Sequence, residues 1–594
     1  MPDGTTRLLD SLKQFVSVPD TWSFRSLLFP SQPATPFYQA LEERADDLRR
    51  AFPFADPVSI AALTAICTIV SVPGGTRLVI QAEQPEAIYV VITGRLAVDR
   101  GQQVRLGPGD VIGDVEFITG AASASTVKAL RTSEVLRIAT GDLQAASERC
   151  PGVLLAISSG VVHRLQAERP ASVAPVRPTT ICVVPVDATI DATPILLQIA
   201  DSLTPFGSVT MLSAEQAAGQ TSFWFAEIER RFDFVLFQAD DRATPWTRFC
   251  LRQCDRIVLV VDGESDPTRC EAFGHDRQYL PSGAHLSLLL LWQAGIVPNR
   301  TAAWLKATSP EGHHHIRSPA DIGRASRLIA GRGLGLVLSG GGARALAHVG
   351  VIDALATQDI QIDAVGGTSI GAIVAAVFAS EYEVSVTVRS LAAAFAKRRF
   401  SDFAIPRTAL YSERAFARTL GNLFGDIAIE DLPIPMFCVS TNLTEGVSAI
   451  HRTGRLVTWL RATSAVPGIC PPILEQNNVY IDGGVLNNVP TDAIRGFGVG
   501  SAITVDVGSS LDKPARSGGG ESLPNMLDLL WRVGTIGSDT AINRVRHDGD
   551  VMLRPEIGNV GIFDWDTHER VIAAGRQVTL GHLAEIEAAL GRVR

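Results

Sequence analysis

The sequence predicts a multidomain protein: a β jelly roll, then an α/β middle domain, then an α/β hydrolase-like domain with a helical C-terminal extension. From about residue 55 to 145, short apolar runs alternate with Gly- and Pro-containing turns, which is typical of a jelly roll or small barrel. Between residues 179 and 333, continuous apolar runs alternate with helix-length segments, as in buried parallel strands with crossover helices. The same β/α texture returns in 334–500.

The domain boundaries are placed where periodicity or composition changes. The apolar residues of 5–18 recur at helical spacing, which fits a helix packed on its own protein or one lying on a membrane surface. A proline-rich stretch without periodicity marks a linker, and a Gly/Ser-rich loop precedes amphipathic helical patterns around 526–544 and 571–590. The predicted segments are 1–54 (helical), 55–168 (jelly roll with a trailing helix), 169–178 (linker), 179–333 (middle domain), 334–500 (hydrolase-like domain) and 501–594 (loop and helices).

Composition excludes several classes of protein. With 46% hydrophobic and 19% charged residues, the chain can bury several cores and is not globally disordered. The net charge of −9 (53 basic minus 62 acidic residues) argues against a nucleic-acid-binding protein. The 8 cysteines form no CxxC pair, which indicates reduced thiols in a cytosol-like compartment. No secretion signal or membrane-spanning segment is recognisable, so we expect a cytoplasmic protein, at most peripheral on a membrane.

The middle domain gives no sign of a cofactor or a metal. It contains neither GxxxxGK[ST] nor GxGxxG, the glycine-rich loops that cradle phosphates. Three consecutive histidines occupy 313–315, but adjacent side chains do not converge on one ion in regular backbone. No metal and no cofactor are therefore expected.

Residues 367–371 read Gly-Thr-Ser-Ile-Gly, between a short apolar strand and a helix of small residues. This context is typical of a nucleophile elbow, where Gly367 and Gly371 let neighbouring backbone pass close to Ser369. The helix N-terminus also supplies partial positive charge for an oxyanion.

Upstream, a strand ends in Gly340, Gly341 and Gly342, followed by Ala343 and Arg344. Successive N–H groups in such a loop can hold a phosphate or a tetrahedral oxyanion. The dinucleotide alternative would require glycine where Ala345 stands, and no acidic ribose ligand follows at a suitable distance. The nearby GxSxG favours the oxyanion interpretation.

A third feature is Asp482, which ends a short apolar strand and precedes Gly483 and Gly484. An aspartate before glycines is often a turn residue. In this order with the glycine loop and the elbow, it becomes a candidate catalytic base.

The trio resembles the patatin-like phospholipase family, as does the stretch 461–468 followed by Pro471 and Pro472. The order of domains resembles the family's neuropathy target esterase branch, whose members are lysophospholipases of the cytoplasmic membrane face. The resemblance implies a phospholipid or lysophospholipid substrate, Ser369 as nucleophile and Asp482 as base. It also implies an oxyanion hole formed by the N–H groups of 340–344. Ala345 departs from the family's usual glycine.

Three alternatives remain open at this stage. One is a triad that adds His547 to Ser369 and Asp482, in the chain order of α/β-hydrolases. Another is a catalytically silent membrane or signalling scaffold that retains the motifs. The third is an NAD-binding enzyme that uses the 340–345 loop.

The jelly roll resembles a cyclic-nucleotide-binding domain, and its phosphate cassette would contain Gly113, Asp114, Ser123, Ser125 and Thr126. The resemblance implies a glutamate for the ribose and an arginine for the cyclic phosphate, where this chain has Asp114 and Ser123. Serine lacks the charged fork that arginine offers a phosphate. A cyclic nucleotide is therefore not expected, unless Arg105 or Arg131 supplies the charge.

Overall fold

The computed structural model describes residues 36–99, 103–166, 179–220, 222–240, 244–270, 285–293, 295–397, 409, 414–508, 550–558, 560–561 and 564–593. The predicted helix over 5–18, the linker 169–178, the helical pattern over 526–544 and His547 lie outside these residues. The chain divides into two compact units. The first comprises 1–184, 208–257 and 275–285, and the second comprises 185–207, 258–274 and 286–594.

The first unit contains the predicted jelly roll. Its elements are α1 (Pro36–Ala51), α2 (Pro57–Ile66), β1 (Thr68–Val72), β2 (Arg77–Val79), β3 (Ala87–Thr93), β4 (Leu96–Asp99), β5 (Gln103–Leu106), β6 (Val111–Ile112), α3 (Asp114–Thr119), β7 (Thr126–Ala129), β8 (Ser133–Ala139), α4 (Thr140–Arg149) and α5 (Pro151–Gln166). The strands form two sheets, in the orders β1-β8-β3-β6 and β2-β7-β4-β5. Apolar side chains from both sheets, among them Val91 and Val127, form a shared core.

The middle segment alternates strands and helices as its apolar runs predict. Its elements are β9 (Thr179–Pro185), α6 (Thr193–Leu203), β10 (Val209–Leu212), α7 (Ala214–Ala217), α8 (Ser222–Arg231), β11 (Phe234–Gln238), α9 (Pro245–Gln253), β12 (Arg256–Asp262), β13 (His285–Leu291), α10 (Thr301–Thr308), β14 (Gly312–Ile316) and α11 (Pro319–Ile329). In the first unit, β11 pairs in parallel with both β10 and β9. In the second unit, β13 and β14 pair in parallel.

The histidines of 313–315 lie in β14, where their backbone is regular strand. The Nε2 atoms of His313 and His315 bond the Glu430 carbonyl at 2.9 and 2.8 Å. The Trp292 indole N–H donates to His315 Nδ1 at 2.9 Å. Burial lowers the pKa of His315 to about 3. In the described ranges, no group of three or more His, Cys, Asp or Glu side chains is arranged to hold a metal ion.

The rest of the second unit is built on one large sheet. Its elements are β15 (Gly333–Leu338), α12 (Ala347–Thr357), β16 (Ala364–Thr368), α13 (Ile370–Ala379), α14 (Val384–Lys397), α15 (Arg414–Phe424), β17 (Met436–Asn442), β18 (Val447–His451), α16 (Leu456–Thr463), β19 (Ile473–Glu475), β20 (Asn478–Asp482), α17 (Thr491–Ile494), β21 (Val499–Val505), β22 (Val551–Leu553), α18 (His568–Gly581) and α19 (Leu583–Val593). The strand order is β19-β20-β17-β16-β15-β21-β22, and β18 also pairs with β17. Strands β17, β16, β15, β21 and β22 run parallel.

Helix α18 of the C-terminal extension packs directly on α12. A Cβ added at Gly350 would lie 1.9 Å from the carbonyl oxygen of Ile572, and one at Gly575 would lie 1.9 Å from that of Ala347. The two helix backbones therefore touch at a pair of glycines, where any side chain would separate them. We refer to this contact as the glycine crossing.

The predicted fold class is confirmed: a jelly roll, α/β structure in the middle, and a parallel α/β domain followed by helices. The boundaries between domains stay predictions. In the part of the chain that the structure describes, no helix is long and apolar enough to cross a membrane.

Candidate active site

Ser369 lies at the sharp turn between β16 and α13. Its backbone has φ +54° and ψ −129°, a conformation that is strained for a residue with a side chain. The flanking glycines are required by space, because a Cβ at Gly367 or Gly371 would lie 2.2 or 2.4 Å from the Leu338 carbonyl oxygen. The structure therefore shows the geometry of a nucleophile elbow at this motif.

Asp482 ends β20, and its side chain is 1% exposed. Its Oδ1 accepts the Gly484 N–H at 2.8 Å, whereas its Oδ2 accepts no hydrogen bond from any described residue. Burial raises the pKa of Asp482 to about 7; the Gly484 N–H opposes that rise, and so does the nearby Ser369 hydroxyl, although it makes no hydrogen bond to Oδ2. The carboxylate thus has one oxygen held in place and the other available to take a proton.

The glycines after Asp482 bring β20 close to the elbow. A Cβ at Gly483 would lie 2.2 Å from the Val439 carbonyl oxygen and 3.0 Å from Thr368 Cγ2. The Thr368 hydroxyl in turn donates to the Asn487 carbonyl at 2.9 Å. Two motifs more than a hundred residues apart in the sequence are therefore in contact in the fold.

The glycine-rich loop lies against Ser369. A Cβ at Gly340 would lie 3.1 Å from Ser369 Cβ and 2.7 Å from Asn488 Oδ1. The Gly340 N–H already donates to Asn488 Oδ1 at 3.1 Å, and the Arg344 N–H donates to the Gly341 carbonyl at 3.2 Å. The N–H groups of Gly340 and Arg344 are thus bonded within the protein, and Gly341, Gly342 and Ala343 stay the predicted oxyanion donors.

Several contacts hold this loop in place. The Arg344 Nε–H donates to the Val560 carbonyl at 2.6 Å. His348, whose pKa burial lowers to about 4, donates from Nε2 to the Ser339 carbonyl at 2.9 Å. The Ala345 side chain is buried in the core beside the loop. The departure from glycine at this position therefore adds a buried methyl group to the core.

Three parts of the chain match known protein families. Residues 336–495 match the family model described as patatin-like phospholipase. The chain carries a patatin-like phospholipase domain. Residues 178–332 match the neuropathy target esterase family P-loop like domain, and residues 69–150 match the cyclic nucleotide-binding domain. The resemblance predicted from the sequence is confirmed by these three matches.

Three curated relatives illustrate how much of the chain is shared. Patatin-like phospholipase domain-containing protein 7 of Rattus norvegicus is 31% identical over 78% of this chain and 40% of its own length. Protein 6 of the same series, from Pongo abelii, is 31% identical over 78% of this chain and 39% of its own. Neuropathy target esterase sws of Drosophila melanogaster is 30% identical over 73% of this chain and 35% of its own. The chain therefore spans 35% to 40% of the length of these relatives.

In the patatin-like phospholipase domain, no described histidine hydrogen-bonds Ser369 or Asp482. His451, which stacks on Trp459, bonds Ser440 Oγ through Nε2 at 2.7 Å, and His348 bonds the Ser339 carbonyl. His547, the predicted third member of an alternative triad, lies outside the described residues.

The domain also contains two supporting residues that the sequence did not single out. Asn488 bonds both polar groups of Gly340, since its Nδ2 donates to the Gly340 carbonyl at 3.4 Å. Thr463 Oγ1 accepts the Ser369 N–H at 2.9 Å. Thr463 lies within the family-like stretch 461–468, which was the available signal. Asn488, six residues after Asp482, had no comparable signal.

The side chains that would line the candidate nucleotide pocket of the jelly roll form hydrogen bonds and an ion pair with neighbouring residues of the same domain. Asp114, buried beside Gly113 (φ +86°), pairs with Arg164 of α5. Ser123 Oγ contacts Glu116 Oε1 at 2.9 Å and the Ser125 carbonyl at 3.0 Å, and Thr126 Oγ1 accepts the Gln81 N–H at 3.1 Å.

Of the two candidate arginines, Arg131 is already paired with other carboxylates. Arg131 is buried, with Glu229 at 2.8 Å and Asp255 at 3.3 Å from its guanidinium nitrogens. The side chain of Arg105 lies outside the described residues.

Proposed function

We propose that this chain is a serine esterase that hydrolyses acyl ester bonds of phospholipids or lysophospholipids through a Ser369–Asp482 dyad. The observation that carries the proposal is the buried Asp482 carboxylate, with one oxygen unpartnered, beside a serine in an elbow. A buried base with a pKa near neutrality can take a proton and return it. The patatin-like phospholipase match supports the substrate class.

In the first half-reaction, Ser369 Oγ attacks the ester carbonyl carbon while Asp482 Oδ2 takes the hydroxyl proton. The N–H groups of Gly341, Gly342 and Ala343 are the candidates to stabilise the oxygen that becomes negative. When the tetrahedral intermediate collapses, the C–O bond to the glycerol side breaks. The departing alkoxide takes the proton from Asp482, and the fatty acyl group remains on Ser369.

In the second half-reaction, water attacks the acyl-serine. Asp482 accepts a proton from that water, the same N–H groups stabilise the new oxyanion, and Ser369 leaves with the proton from Asp482. The products are a free fatty acid and the regenerated enzyme. No step requires a histidine.

We also propose that the reaction takes place at the cytoplasmic surface of a membrane. Leu443, Leu474 and Leu486 are 57%, 70% and 40% exposed, and all three belong to the strands and turns around Asp482. Leu474 pairs in register with Val479 of β20, and the Leu443 N–H donates to the Val479 carbonyl at 2.8 Å. Exposed apolar side chains beside a lipid-cleaving site suit contact with lipid.

The jelly roll, on this proposal, does not respond to a cyclic nucleotide. Its buried carboxylate is already paired with Arg164, and Ser123 bonds to its own neighbours. A phosphate would have to be desolvated there without a new cationic partner, which is unfavourable. The module would act through packing.

Labelling with a fluorophosphonate probe tests the proposed chemistry. We expect covalent labelling of the full chain that disappears in Ser369→Ala, and release of fatty acid from a panel of phospholipids and lysophospholipids by the wild type only. Absence of labelling in the folded wild type would favour a silent scaffold. Labelling that persists in Ser369→Ala would place the nucleophile elsewhere.

Sedimentation with phosphatidylcholine vesicles tests the membrane surface. Leu474→Ser should reduce the vesicle-bound fraction while labelling by a soluble probe continues. Leu155→Ser is the matched control, because Leu155 of α5 is 69% exposed. If the vesicle-bound fraction falls equally in both variants, or falls in neither, the assigned membrane surface is wrong.

A further inference from the structure

The last residue of α16 and the turn that follows it contact the backbone of both proposed dyad residues. Thr463 Oγ1 accepts the Ser369 N–H at 2.9 Å. Two residues later, the Ala465 carbonyl accepts the Asp482 N–H at 2.9 Å. The turn after β16 and the end of β20 are thus both bonded to one short segment, which lies within the family-like stretch 461–468.

Leaving the Ser369 N–H without a hydrogen-bond acceptor would be costly, because this group is buried. Ser369 is 3% exposed, so water has little access to it, and its positive φ turns the peptide away from regular strand or helix bonding. The Ser369 carbonyl is already bonded by the N–H groups of Ala372 and Ile373. Without Thr463, a buried N–H would be left unsatisfied at the most strained point of the elbow.

The Thr463 hydroxyl is oriented by a second bond. Its proton is donated to the carbonyl of Val439 in β17, which leaves an oxygen lone pair directed to Ser369. Val439 is in register with Thr368, the residue before the nucleophile. Thr463 itself is fully buried and therefore does not contact a substrate.

We infer that Thr463 is a positioning residue that holds Ser369 in its strained conformation and its hydroxyl beside Asp482. The inference rests on the proposed function, since it assigns a role within that mechanism. On this inference, the stretch 461–468 contributes the residue that positions the nucleophile. Loss of the hydroxyl would let the elbow relax, and Ser369 Oγ would move from the carboxylate.

The test compares Thr463→Val, which keeps the shape but removes the hydroxyl, with Thr463→Ser, which keeps the hydroxyl. For Thr463→Val we expect kcat and the rate constant of fluorophosphonate labelling to fall about 10- to 100-fold, the scale of one lost hydrogen bond to a buried group. KM should change little. Thr463→Ser should retain a labelling rate within about threefold of the wild type.

A pH profile separates positioning from general destabilisation. Because the Ser369 hydroxyl lowers the pKa of Asp482, its displacement in Thr463→Val should shift the acidic limb of kcat/KM to higher pH. Thr504→Val is the matched control: Thr504 of β21 is also buried, and its hydroxyl lies 3.4 Å from Thr491 Oγ1, away from Ser369 and Asp482 in the sequence of hydrogen bonds described above. Thr504→Val should keep the wild-type labelling rate and the wild-type position of the acidic limb of kcat/KM.

The possible outcomes are distinct. If the wild type is not labelled, the proposed function fails before the inference is reached. If the wild type is labelled and Ser369→Ala is not, a Thr463→Val protein that reacts at the wild-type rate overturns the inference. Equal losses in Thr463→Val and Thr463→Ser would assign the effect to packing and also overturn it. Should Thr463→Val fail to fold, Thr463→Ala and Thr463→Ser are compared per folded molecule.

Discussion

Two buried aspartates show how neighbours decide what a carboxylate can do. Asp482 and Asp114 are 1% and 3% exposed, and each stands beside a glycine at the end of a strand. Asp114 is paired with the guanidinium of Arg164, whereas Asp482 has an oxygen without a partner among the described residues. A carboxylate neutralised by its own chain is a structural element. One left incompletely satisfied stores the capacity to accept a proton.

The two serines of these sites differ in the same way. Ser123 Oγ bonds Glu116 and the Ser125 carbonyl within its own loop. Ser369 occupies a positive φ that neighbouring strands and Thr463 enforce. A strained serine backbone beside a carboxylate that lacks a hydrogen-bond partner is therefore typical of a reactive site. A pocket whose polar side chains bond one another is not.

The largest expected effect comes from Asp482→Asn. The amide keeps the shape but cannot accept the proton, so turnover should fall by about 10³-fold. Stability should rise at pH 8, by up to about 4 kcal/mol, because the buried charge is removed. Activity assays and thermal melts of the full chain check both parts.

Asp363→Asn sharpens this result as a control. Asp363 is also buried, but it is bidentate to Arg327. Its replacement should lower stability and leave the turnover of the folded protein in the wild-type range. If the two variants behaved alike, the contrast between satisfied and unsatisfied carboxylates would be wrong.

Gly341→Val should reduce turnover by about 10²- to 10³-fold, the cost of losing an oxyanion donor. Its Cβ would lie 2.7 Å from Val507 Cγ2, so the loop must shift. Gly421→Ala, in open space on α15, should leave activity unchanged. A fully active, folded Gly341→Val enzyme would show that the loop has another purpose.

As the pH rises, kcat/KM should increase while the contribution of Asp482 to the free energy of unfolding decreases. The base works only when deprotonated, so kcat/KM should rise about tenfold per pH unit up to a pKa near 7 and then level off. The folded pKa of Asp482 lies above the unfolded value of about 3.9, so its contribution to stability is full below pH ~4 and is lost as the pH rises through about 7. Asp482→Asn should remove this part of the stability slope. A flat activity profile from pH 5 to 8 would contradict the assigned base.

The smallest effect is expected at the jelly roll. Addition of 1 mM cAMP or cGMP to the full chain should stabilise it by less than about 0.4 kcal/mol, the value for a Kd of 1 mM. Ester hydrolysis should not change. Saturable binding at micromolar affinity, measured by calorimetry, would mean that Arg164 releases Asp114 to a ligand.

Ala345→Gly completes the series with a nearly neutral change in turnover. The buried methyl packs in the hydrophobic core of the domain. The variant should therefore lose a little stability, about 1 kcal/mol, through helix propensity and lost packing. A large loss of turnover would show that this residue shapes the oxyanion loop.

The sequence was sufficient for the fold class and for the three motifs, because each motif is local: glycines at a turn, a serine between them, an aspartate at a strand end. It could not show that Asn488 occupies the Gly340 N–H, since that bond joins residues 148 positions apart. The role of Thr463 was equally hidden, because its partners Ser369 and Val439 are 94 and 24 residues away in the sequence. Hydrogen bonds between distant residues depend on the register of the whole sheet, which no local pattern encodes.

The glycine crossing determines which residues a shortened, catalytic form of the chain must include. The family match ends at residue 495, yet α18 rests on the helix that begins directly after the oxyanion loop. A shortened chain that stops near 500 would uncover a strip of bare helix backbone beside the reaction centre. A catalytic fragment of this chain therefore has to include the last helices as well as the serine.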